Sequence, residues 1–71
     1  MKEVRAYRTK MIGRAIGSAV LKLAGRGVHV NNENILYELE RMAAESKDLQ
    51  VKAFTLDAAK IMRKACKIAN N

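Results

Sequence analysis

Proline and tryptophan are absent from this 71-residue chain, and cysteine, histidine and phenylalanine occur once each. Without proline, nothing forces a break inside a helix. A single cysteine excludes a disulfide within the chain, and one cysteine with one histidine cannot supply the ligands of a structural zinc site. With His29 alone, and that in a loop, neither a histidine-based triad nor a multi-histidine metal centre can be assembled. The only rings besides histidine are Tyr7, Tyr37 and Phe54, too few to stack on single-stranded nucleic acid. The longest apolar stretch, around Ile16 to Ala24, is interrupted by Lys22 and falls well short of the roughly 20 residues of a membrane span. It also lacks a signal-peptide cleavage pattern, so a cytoplasmic location is expected. Gly25 and Gly27 follow a helix pattern instead of a strand, which rules out a phosphate-binding loop. No enzyme chemistry, cofactor, metal or small-molecule substrate is expected.

What is present is helical. Hydrophobic residues make up 49% of the chain and are mostly Ala, Leu, Ile and Met. Helix 1 is expected over about Glu3 to Ala24, with Val4, Tyr7, Met11, Ile12, Ala15, Ile16, Ala19, Val20 and Leu23 on one broad face and Gly25-Arg26-Gly27 as its stop. Gly13 and Gly17 leave two bare positions one turn apart, the spacing that admits a second helix backbone at close range. Helix 2 starts at Asn31, a good N-cap, with Val30 and Ile35 as a hydrophobic staple. It continues through Ile35, Leu36, Leu39, Met42 and Ala43 to Ala44 or Glu45. Ser46 or Asp48 caps helix 3, expected over Leu49 to Ala69. There Val51, Phe54, Ala58, Ile61, Ala65 and Ile68 alternate steps of three and four as a heptad seam. The expectation is an all-α, single-domain protein over residues 1–71. A chain this short buries only about 60% of its unfolded surface, so the three helices are expected to form an intertwined or packed homodimer.

Charge is segregated along the chain, whose net is +7. Lys2, Arg5, Arg8, Lys10, Arg14, Lys22 and Arg26 make the first 32 residues basic. Glu33, Glu38, Glu40, Glu45, Asp48 and Asp57 make the middle acidic, and Lys60, Arg63, Lys64 and Lys67 make the C-terminal end basic again. The last four fall within roughly 100° of helix arc, away from the Phe54/Ile61 seam. Together with Lys2, Arg5, Arg8, Lys10 and Arg14 they form the candidate surface for double-stranded DNA or an acidic regulatory protein. Asn31, Asn32 and Asn34 read as turn and cap residues before they read as a recognition cluster. His29 reads as a solvated loop residue, with pH sensing the sharper alternative. Cys66 reads as an inert helix cysteine, with reactivity promoted by Lys64 and Lys67 the alternative.

One pattern is more specific. Ile16-Gly17-x-Ala19-Val20-x-x-Leu23, then Gly27, then Val30-Asn31-Asn32-x-Asn34-Ile35, then Leu39 and Asp48 resembles the AriR/YmgB-type family of small bacterial regulators, linked to biofilm development and acid resistance. The resemblance runs from about Ile16 to Met62. It implies a non-enzymatic homodimer that modulates gene expression, by contacting DNA or as a connector acting on a two-component phosphorelay. Gly17, Ala19, Val20, Leu23, Val30, Ile35 and Leu39 would then carry packing and dimerisation. Both basic ends lie outside the matched stretch, so a phage- or plasmid-borne inhibitor of an acidic protein, or a basic helix lying on anionic lipid, are the alternatives.

Overall fold

A computed structural model describes the backbone of residues 2–69 and the side chains of residues 4–67. Three helices follow one another: α1 over Lys2–Gly25, α2 over Asn32–Glu45 and α3 over Leu49–Ala69. The all-α expectation holds, and the boundaries fall within a residue of the sequence signals. Gly27 adopts φ +69°, the left-handed conformation that only glycine takes without strain. It lets Val28 N–H reach back to the Leu23 carbonyl at 2.9 Å and close the last turn of α1. The Asn31 side chain accepts from Asn34 N–H at 2.7 Å, as an N-cap should. Asp48 caps α3, its carboxylate accepting from Gln50 and Val51 N–H at 2.9 and 3.2 Å. Ser46 instead donates its hydroxyl to the Asp48 carbonyl at 3.2 Å.

The core lies where the three helices meet: Ala15, Ala19 and Leu23 from α1, Ile35 and Leu39 from α2, and Ala58, Ala59 and Met62 from α3. Ile12, Ile16, Val20, Leu36 and Met42 flank it half-buried. Alanine allows the helix axes to approach closely but contributes few methylenes, each worth about 0.8 kcal/mol when buried. This core is therefore thin. Thr55 is the one buried hydroxyl among the described residues, and it donates to the Val51 carbonyl at 2.7 Å.

Two of the expected packing faces are not filled within the single chain. Nothing lies within 4 Å of where a Cβ would stand at Gly13 or Gly17, so no helix of this chain uses the bare positions. They sit on the side of α1 opposite Ala15 and Ala19. On α3 the inward line is Thr55, Ala58, Ala59 and Met62, rotated by most of a right angle from the heptad seam. Val51 and Ile61 consequently stay 43% and 48% exposed. Of that seam Ala58 is buried and Phe54 and Ala65 are half-buried. The Ile68 side chain lies outside the described residues.

Candidate partner-binding surface

The C-terminal half of α3 gathers its cations as the spacing predicts. Lys60, Arg63, Lys64 and Lys67 line one shallow concavity of about 180 Å³. Arg63 donates to Glu40 of α2 at 2.7 Å, which anchors its guanidinium, and the lysines beside it are exposed. Among the described residues no carboxylate lies within ion-pair distance of Lys60, Lys64 or Lys67.

On α1, Arg5 and Lys10 line a second, flatter depression with Ala6 and Thr9. Arg8 is turned elsewhere, toward Asp57 at 3.3 Å, in the same region where Tyr7 meets Phe54 edge-on with ring centroids 5.8 Å apart. Arg14 stands at the edge of an apolar groove lined by Met11, Met42, Val51 and Phe54. The five α1 bases named from sequence thus do not form one surface: Arg5 and Lys10 share one, Arg8 is paired, Arg14 serves another, and the Lys2 side chain lies outside the described residues.

Two of the three clustered asparagines, Asn31 and Asn34, are held by the chain itself, and Asn32 is exposed. Besides the cap at Asn31, Asn34 donates its side-chain amide to the His29 carbonyl at 2.8 Å, bracing the loop against the helix start. His29 contributes its backbone, and its ring is exposed. Cys66 is half-buried.

The pair that sequence reasoning missed is Arg26 with Glu38. Glu38 is buried on α2, its side chain only 5% exposed, and its carboxylate accepts from the guanidinium of Arg26 in the α1–α2 connection. That hydrogen bond holds the Glu38 carboxyl below its ordinary range against the opposing effect of burial, with Arg26, Arg41 and Lys22 adding positive charge nearby. The same bond raises Arg26. A glutamate beside the apolar stripe of α2, with an arginine inside the Gly25-Arg26-Gly27 stop, was the available signal.

Comparison with family models, curated proteins and solved structures gives no match. Among the described residues no helix is long and apolar enough to cross a membrane.

Proposed function

We propose that this chain is a small non-enzymatic regulator that dimerises and modulates gene expression, as its resemblance to the AriR/YmgB-type family implies, and that it holds an acidic partner on the basic half of α3, most of which lies outside the resembling stretch. The observation that carries the reading is the gathering of Lys60, Arg63, Lys64 and Lys67 around one concavity, with three lysines left without carboxylate partners among the described residues. Three such lysines so close repel one another in the free protein, and a polyanion relieves that repulsion. Dimerisation is supported by the thin core and by the exposed Val51 and Ile61 of the α3 seam, which a second copy would cover. Duplex DNA is the second reading, favoured by Arg5 and Lys10 as a further basic surface. Its sequence preference would be weak, since no side-chain set is placed to read base edges.

The test is a pair of fluorescence titrations, with poly-glutamate and with a short DNA duplex, between about 50 and 200 mM salt. Saturable binding to at least one polyanion, weakening as salt rises, is expected. Absence of binding to both at the lower salt overturns the reading.

A further inference from the structure

A second stripe runs along α3, on the side opposite its buried line. Leu49, Ala53, Leu56, Lys60, Arg63 and Lys67 follow one another in steps of four and three, and at 100° per residue they occupy only about 80° of arc. All six are exposed. Leu49 and Leu56 are large apolar side chains left 83% and 44% exposed on a molecule with little apolar core to spare. The stripe is about 27 Å long and divided lengthwise: its first half is apolar, its second half cationic.

We propose that this stripe docks a helix from a partner protein whose own three-and-four stripe passes from apolar to acidic along its length. The inference rests on the reading that the basic half of α3 holds an acidic partner, and it names that partner's chemistry. Amphipathic helices are recognised through anchors at these spacings, apolar contacts supplying affinity and charges fixing orientation. A second copy of this chain does not fit here. Two such stripes side by side in parallel set lysine against lysine, and antiparallel they set lysine against leucine. Duplex DNA satisfies the cationic half but leaves Leu49 and Leu56 in water, with phosphates beside them. The α3 seam of Val51 and Ile61 faces a different direction, so a dimer formed there leaves the stripe open.

The experiment uses the whole chain and two synthetic helical peptides of identical composition. One carries leucines in the first half of its stripe and glutamates in the second, and the other alternates them. Fluorescence anisotropy is expected to show the divided peptide binding about tenfold or more tightly than the alternating one. Leu56→Ser and Lys60→Glu are each expected to weaken it by about tenfold, with circular dichroism confirming that these exposed substitutions leave the fold intact. Equal affinity for the two peptides, or a Leu56→Ser protein that binds as wild type does, overturns the inference. In that case, if binding still disappears with Lys60→Glu or high salt, the basic-surface reading stands alone. Tighter binding to a DNA duplex than to the divided peptide, unaffected by Leu56→Ser, also overturns it in favour of phosphate recognition. Failure of both peptides and DNA to bind removes the underlying reading as well.

Discussion

Asn31 and Glu38 show how single side chains fix the frame that carries the charged surface. The Asn31 cap satisfies a backbone donor that α2 would otherwise leave unpaired, and Asn31→Ala is expected to cost about 1 kcal/mol, lowering the melting temperature by several degrees. Partner affinity should not change, because the cap lies outside the basic surface. Loss of binding at unchanged stability would make the asparagines a recognition cluster after all. Glu38 has its carboxyl pulled below the ordinary range in the folded chain, chiefly by Arg26, so its contribution to stability is full above the unfolded value. That contribution is lost progressively as pH falls below about 4, where the unfolded chain takes up a proton first. Thermal melts across acidic pH are expected to show wild type losing stability more steeply than Glu38→Gln. Parallel curves would mean the pair is energetically silent.

The helices themselves were legible, because period, caps and glycine stop all pointed the same way. Asn31, Asp48 and Gly27 each perform the local task that their residue type predicts. The azimuth of α3 was not legible. Its apolar residues surround more than half the helix, so several three-and-four stripes can be drawn through the same 21 residues. The Phe54/Ile61 stripe has the bulkier side chains, yet the chain buries Thr55, Ala58, Ala59 and Met62, since small residues fit the narrow space left by Ala15 and Ala19. The ion pairs were hidden for a related reason: Arg26–Glu38, Arg8–Asp57 and Arg63–Glu40 join residues distant in sequence, and only the packed helices select them. The two azimuths make distinct predictions. Met62→Asp puts an unpaired charge into the core of the single chain and is expected to cost several kcal/mol, abolishing the helical signal in circular dichroism. Ile61→Asp leaves its charge hydrated in the monomer. It is expected to spare the helices while halving the sedimenting mass, and an unchanged mass would place the dimer contact elsewhere.

At the scale of the molecule, among the described residues five of the nine buried apolar ones are alanine, while ten large apolar side chains are exposed. The proposed dimer would cover part of this apolar surface, and sedimentation of the 7.9 kDa chain at micromolar concentration is expected to give about twice that mass. In the proposed dimer, association through the α3 seam would keep the cations of each copy outward and present two separate basic concavities. The most direct test of this account is the salt dependence of polyanion binding by wild type beside a Lys60→Glu, Lys64→Glu, Lys67→Glu variant, all three positions being exposed. With a DNA duplex as the polyanion, each lost phosphate contact should flatten the slope of log affinity against log salt by about one unit. The account predicts a variant that is folded, binds far more weakly and shows a nearly flat slope. A variant that binds with the affinity and slope of wild type would contradict it.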